Sequence, residues 1–537
     1  MSISSSKCFF NSLGVVTSFF LASSAMAQTN TNLNVLSQKT SSTSPTTNVV
    51  PNSTSTPTQP NNLTTSPSVL SPQELKLLAP SSNLLLRPTT TSQVQINLTK
   101  ALTLKQAVEL GLLNNRDLQA GIIAVQKAKA QLRAAQAAYH PTINLSSSVN
   151  YAKTTASDIA NQTAVYYNQQ ALAYNTGTAL QQYNPLIGSD LIATLQLSYS
   201  IYDGGTRDAN IASAKDQIKY NQLDVERLTE QTRYDVTNAY YTLQNADANV
   251  EIAQASVNDA TRTLRDAQLL KTAGLGTQYD VLSAEVQLST AQQSLVQAVA
   301  AQKIAGRQLA QVLPVAQDIA LTTADPIAQL GDWKFSLEES IVKAYANRVE
   351  LNQVLVQKNI YKEAADVALA LTRPQLSFVT SYSIDDQLQL AQRNYTVPAF
   401  FGQGYSIGFQ LNWLIYDGGA SNAQAQENYQ NMKAQDVAFA KERETIREAV
   451  EADFYNLQSN KENVGKSRKN VELATEALRL ARLRFQAGVG TQTDVINSQT
   501  ALTTARSQYL EAIIGYNQSY NSIEKDVSKV SNFLANK

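Results

Sequence analysis

Two long stretches of this chain repeat apolar residues every three and four positions, and shorter ones alternate them every second position. Between Gly205 and Gly274 there is neither glycine nor proline. There Val236, Ala239, Leu243, Ala246 and Val250, continuing to Ala267, form a heptad seam over five repeats. Gly419 to Gly488 encloses a stretch of the same length with no proline and only Gly465. It keeps Val450, Leu457, Val464, Val471 and Leu478 on the seam, with Asp453, Asn460, Ser467, Ala474 and Ala481 between them. Each stretch predicts one helix of about 100 Å, at about 1.5 Å per residue. So narrow an apolar stripe cannot be the core of a globular bundle, because the rest of each helix is polar or alanine-rich. The helices pack as staves of a wall or as a coiled coil.

Shorter helices follow at about Gln278–Val312 and Gln492–Asp526, and Pro314 stops the first. A mixed segment, residues 315–334, leads to a short helix near Leu337–Tyr345 and another over roughly Glu350–Leu371. Two partial helices together match one long one, so each returning stave is broken midway, with a belt of irregular chain at the break.

After Pro141 and Pro374 the period changes from 3.6 to 2. Ile143, Leu145, Val149 and Tyr151 alternate with Asn and Ser; Ala193, Leu195, Leu197, Tyr199 and Ile201 alternate with polar residues; Ile407, Phe409, Leu411, Trp413 and Ile415 do the same, and Leu376–Ile384 less regularly. These predict four strands of about 9–11 residues with one apolar face, as a bilayer-spanning barrel requires. A sheet on a soluble core would alternate equally. The helices favour the membrane reading, since they leave no globular core for such a sheet to cover. Four strands cannot close a barrel, and an open edge in lipid leaves backbone groups unsatisfied. The chain must then oligomerise; two copies would give eight strands and three would give twelve, and periodicity does not choose between them.

These elements occur twice. Ile201-Tyr-Asp-Gly-Gly205 returns at Ile415–Gly419, and Gly274-Leu-Gly-Thr277 returns as Gly488-Val-Gly-Thr491, both at one constant spacing. Upstream, Leu104 to Pro141 matches Leu337 to Pro374 at a wider spacing, so the first copy carries extra chain in its hairpin. Repeat 1 is assigned to residues 101–314, the belt connection to 315–334 and repeat 2 to 335–527, with a C-terminal tail at 528–537.

Composition adds the two ends and removes several partners. Lys7, the apolar stretch Val15–Ala22 and Ala25-Met-Ala27 predict a signal peptide over residues 1–27. Residues 28–100 predict a disordered tether, since Ser, Thr, Asn and Pro dominate and Lys39 is the only charge from Gln28 to Pro72. Cys8 is the one cysteine, so the mature chain has no disulfide or thiolate metal site. Basic and acidic side chains number 43 each, leaving no net field to recruit nucleic acid. No run of about 20 apolar residues follows Gln28, so any membrane crossing is by strands. No nucleophile–base set, phosphate loop or metal cluster is visible, which argues against an enzyme and against any cofactor.

The duplicated order of proline, hairpin, Tyr-Asp-Gly-Gly, long helix, Gly-x-Gly-Thr-x-x-Asp-Val turn and returning helix resembles the TolC family of outer membrane efflux proteins, over about Leu102 to Asp526. The resemblance implies an α+β membrane protein: a homotrimer with a twelve-stranded β-barrel in outer membrane lipid, continuing into a long α-helical barrel in the periplasm. It implies docking to a periplasmic adaptor and an inner-membrane transporter, and export of small molecules or secreted polypeptides. The competing expectation is a coiled-coil spacer of the cell envelope that conducts nothing.

Two sites follow from the resemblance. The adaptor would dock on the tips, Gly274, Leu275, Gly276 and Thr277 with Gly488, Val489, Gly490 and Thr491. Asp494 matches a periplasmic aspartate ring whose second member is Asn497 here, which weakens cation binding. Thr277-x-x-Asp280 and Thr491-x-x-Asp494 are also capping boxes; Asp280 is read as a helix cap, and Asp494 as a cap, a gate or both. The four tip glycines are expected to take positive φ in tight reversals.

Overall fold

The computed structural model describes residues 85, 87–96, 98–153, 155–175, 177, 180, 187–316, 318–389 and 400–527, all in one unit spanning Ser66–Lys537. The expected signal peptide, most of the tether and the tail at 528–537 lie outside the described residues.

Strand β1 (Leu98–Leu102) leads into α1 (Leu104–Asn114) and α2 (Arg116–Gln136). They part at Asn115, whose side chain caps α2 by accepting from Leu118 N at 3.0 Å. The first hairpin is β2 (Thr142–Lys153) and β3 (Ile187–Tyr202), with α3 (Thr155–Tyr174) between them. Helices α4 (Thr206–Thr272) and α5 (Gln278–Val312) complete the copy, and β4 (Ile319–Thr323) opens the belt. The second copy runs α6 (Leu337–Asn347), α7 (Val349–Ala370), β5 (Gln375–Gln389), β6 (Phe400–Asn412), α8 (Ala420–Gln486) and α9 (Gln492–Val527). Helices α4 and α8 are 67 residues each, and every seam position named above is buried or half-buried.

At the Tyr-Asp-Gly-Gly turn the strand becomes a helix. Gly204 and Gly205 take φ of 73° and 96°, and Asp203 accepts from Gly205 N at 3.2 Å and Arg207 N at 2.8 Å. Asp417 does the same for Gly419 N and Ser421 N, at 2.9 and 2.7 Å. The carboxylate thereby satisfies first-turn donors that a helix leaves unpaired.

The sheet is open and antiparallel, in the order β2-β3-β5-β6. Staves stand in the same order: α2 packs on α4, α4 on α7 and α7 on α8. Below the belt the order is α5, α4, α9, α8. One flank of the protomer therefore carries β2, α2 and α5, and the other β6 and α8.

Two core clusters lie near the belt. Val236, Tyr240, Leu243, Leu309 and Ile319 anchor one, and Ile446, Val450, Leu457, Tyr516 and Ile523 the other. Fully burying an aliphatic side chain of this size stabilises by about 1.5–3 kcal/mol. The Tyr240 hydroxyl lies 3.0 Å from Leu102 O and 2.9 Å from Asp325 Oδ2, and accepts from Asp325 N at 3.2 Å. Asp325 also accepts from Leu104 N at 2.6 Å.

Four expectations need correction. Residues 91–100, assigned to the tether on composition, hold a 3-10 turn (Thr91–Gln93) and the start of β1, which pairs in parallel with β4. The four strands of the sheet are longer than the alternation predicts, at 12, 16, 15 and 13 residues. Their pairing continues past the apolar face into polar ends such as Asp190, Asp385 and Asp386. Strand β6 stops at Asn412 and not Ile415, because its partner β5 begins at Gln375 and Trp413 Nε1 turns to Thr372 O at 3.1 Å. Of the tip glycines only the first of each pair, Gly274 and Gly488, has positive φ.

Candidate functional site

Both tips are Schellman turns. In the first, Gly274 N donates to Lys271 O at 3.0 Å and Leu275 N to Leu270 O at 2.9 Å; in the second, Gly488 N donates to Phe485 O at 3.0 Å and Val489 N to Arg484 O at 2.9 Å. Gly274 and Gly488 take φ of 74° and 73°. Gly276 and Gly490 do not; they are small because the chain passes over the helix end. A Cβ on Gly276 would sit 3.0 Å from Lys271 N, and one on Gly490 3.0 Å from Arg484 Cβ.

Leu275 is 80% and Val489 69% exposed, so within one protomer neither apolar side chain is covered. The next helices start on capping boxes. Thr277 N donates to Asp280 Oδ2 at 2.9 Å while Asp280 N donates to Thr277 Oγ1 at 3.2 Å. Thr491 N and Asp494 Oδ2 are 3.1 Å apart, and Asp494 N donates to Thr491 Oγ1 at 3.2 Å. Hydrogen bonds from the Thr491 side chain and backbone hold the Asp494 carboxyl below the ordinary aspartate value, and the charge of Arg484 adds to this. Asp494 and Asn497 line one cleft of about 290 Å³ between α8 and α9, whereas Asp280 lies on the other hairpin. Arg484, absent from the sites expected from the sequence, bounds the same cleft. Its signal was the break in the repeat, since its counterpart is Leu270.

At the far end the register aligns one apolar face across the sheet. Leu145 pairs with Leu195, Leu195 with Tyr382 and Tyr382 with Tyr405; Phe378 joins Tyr199 to Phe409. On the edge strands Ile143, Val149, Ile407, Phe409 and Leu411 are exposed, and none of the described helices packs along the sheet. No helix among the described residues is long and apolar enough to cross a membrane. Among the same residues no group of three or more His, Cys, Asp or Glu is placed to hold a metal ion.

The family model for outer membrane efflux proteins matches residues 107–314 and 340–525. The outer membrane efflux protein BepC of Brucella suis is 24% identical over 426 residues, 76% of this chain and 82% of that protein. Protein CyaE of Bordetella pertussis is 23% identical over 430 residues, 76% of this chain and 80% of its own length. Among solved structures, the CmeC outer membrane channel of Campylobacter jejuni superposes with a TM-score of 0.63 at 16% identity, covering 86% of this chain and 97% of that one, a likeness of fold. Matched in both repeats on either side of the belt, this chain belongs to the outer membrane efflux protein family, channel-forming proteins of the outer membrane that extend into the periplasm.

Proposed function

We propose that three copies of this chain close a twelve-stranded barrel in the outer membrane, over a helical tunnel that carries small molecules or secreted polypeptides outward. The observation that carries this reading is the pair of unfinished flanks. Strands β2 and β6 each have one unpaired edge, and they run in opposite directions, so β6 of one copy can continue the antiparallel sheet on β2 of the next. Below them the flanking staves expose apolar side chains, Leu282, Val286 and Val296 on α5 and Leu483 on α8. Ring closure removes both kinds of edge at once. Twelve strands leave room for a lumen, whereas eight leave a barrel filled by side chains.

The periplasmic end is the regulated one in this reading. Gly274–Thr277 and Gly488–Thr491 receive a periplasmic adaptor through Leu275 and Val489, and the adaptor joins the channel to an inner-membrane transporter that supplies the energy. Asp494 and Asn497, repeated about the axis, narrow the entrance. Asp494 is both cap and gate residue, and Asp280 is a cap alone.

Single-channel recording in planar bilayers tests the proposal. Purified protein is expected to insert and conduct, and Asp494→Ala to weaken block by multivalent cations. Absence of conductance, even with Asp494 replaced and the tips loosened, would instead support the envelope spacer. Cross-linking at Leu275 and Val489 is expected to capture the adaptor.

A further inference from the structure

The two tips are one turn built twice, so the positions where their charges diverge are informative. Asp494 has Asp280 as its counterpart, but Arg484 has Leu270. Arg484 closes the last turn of α8 and Asp494 the first turn of α9, each at the helix end whose dipole favours its charge. The turn between them folds the two ends together, and both border the cleft with Ala477, Ala481, Asn497 and Ser498. Nearby arginines are committed elsewhere: Arg479 pairs with Glu476 at 2.6 Å and Arg482 with Asp259 at 2.9 Å. Arg484 has no such salt bridge among the described residues.

Through Ala477 and Asn497 the cleft continues into a larger one of about 690 Å³. The polar lining there is Asn470, Thr500, Thr504 and Gln508, with no charged side chain. Of the side chains bordering the two clefts, Leu473 and Leu480 among them, Arg484 and Asp494 are the charged ones. A ring of carboxylates alone would attract cations and turn anions away. An equal number of guanidiniums at the same level cancels most of that field.

We infer that Arg484 determines the charge selectivity of the entrance, offsetting Asp494 so that the constriction accepts anionic as well as cationic solutes. This deepens the channel reading above and rests on it. The charge of Arg484 also adds to the Thr491 hydrogen bonds that hold the Asp494 carboxyl below the ordinary aspartate value.

Reversal potentials of the full-length protein in planar bilayers, under a potassium chloride gradient, test the assignment. Wild-type pores should show little selectivity. Arg484→Ala should raise the potassium-to-chloride permeability ratio about two- to fivefold, the scale of one lost charge in a partly screened site. It should also lower the concentration of hexaamminecobalt(III) needed for block. Arg484→Lys should behave as wild type, and Asp494→Asn should shift the ratio towards chloride. Conducting Arg484→Ala pores with wild-type reversal potential and block would overturn the inference and leave the channel reading standing, as would an Arg484→Lys shift equal to that of alanine. Protein that forms no pore, even with Asp494 replaced and the tips loosened, would overturn both.

Discussion

The belt and the sheet satisfy their polar and apolar groups by opposite means. At the belt, Tyr240, Asp325 and Leu102 find their partners within one chain, and Asn517 bridges Leu330 N and Ala328 O at 2.9 Å each. The sheet leaves two backbone edges unpaired and exposes Ile407, Phe409 and Leu411. A group completed within the chain contributes to folding of the protomer. One that is left open contributes only once another surface covers it.

The largest expected effect tests the self-sufficient half. Tyr240→Ala empties a fully buried site and removes a hydroxyl from the belt network, which should cost about 3–5 kcal/mol. Denaturant melts of the detergent-solubilised protein would measure it, and a change under about 1 kcal/mol, far below that range, would mean that the belt is not the anchor described.

Next comes the incomplete half. Phe409→Arg places a charge on the aligned apolar face, at about 2–4 kcal/mol for mid-bilayer depth. Membrane fractionation should find the variant unassembled while circular dichroism retains its helices. Normal insertion would place that face away from lipid.

The smallest effect sharpens the contrast from within the belt. Burial pushes the Asp453 carboxyl up to about 6, and the Asp526 carboxylate adds to this. Unfolded aspartate titrates near 3.9, so the folded chain holds this proton more tightly. Asp453 thus favours folding most below about pH 4, and that contribution is lost as pH rises through about 6. Asp453→Asn should therefore stabilise the protein by about 2 kcal/mol at pH 7 and hardly at pH 4. Thermal melts at both values would show it; equal shifts would remove the proton linkage.

Long elements were legible because periodicity accumulates over many residues. The stretch from Gly205 to Gly274 became α4, and the predicted Gln278–Val312 is α5 to the residue. Short, non-local ones were not. Strands β1 and β4 have five residues each and pair across the whole first copy, leaving no local signal. The extra chain of the first copy was visible as a length difference, but α3 was not read as a helix. Its Tyr166-Tyr167 and scattered alanines give no clear apolar stripe. At the tips the capping boxes were legible in Thr277 and Thr491, while the role of Gly276 and Gly490 was not. Steric crowding by the preceding helix is a property of the folded turn, not of the glycine spacing.

The equal length of α4 and α8 makes the protein a ruler. Both begin at the same glycine pair and end at the same turn, so the two tips of a protomer stop at one depth. A single inserted residue would advance one tip by about 1.5 Å and swing it by about 100°, leaving the two tips uneven. A substitution along these helices acts where its side chain sits, but an insertion acts at the tip, whichever turn it enters.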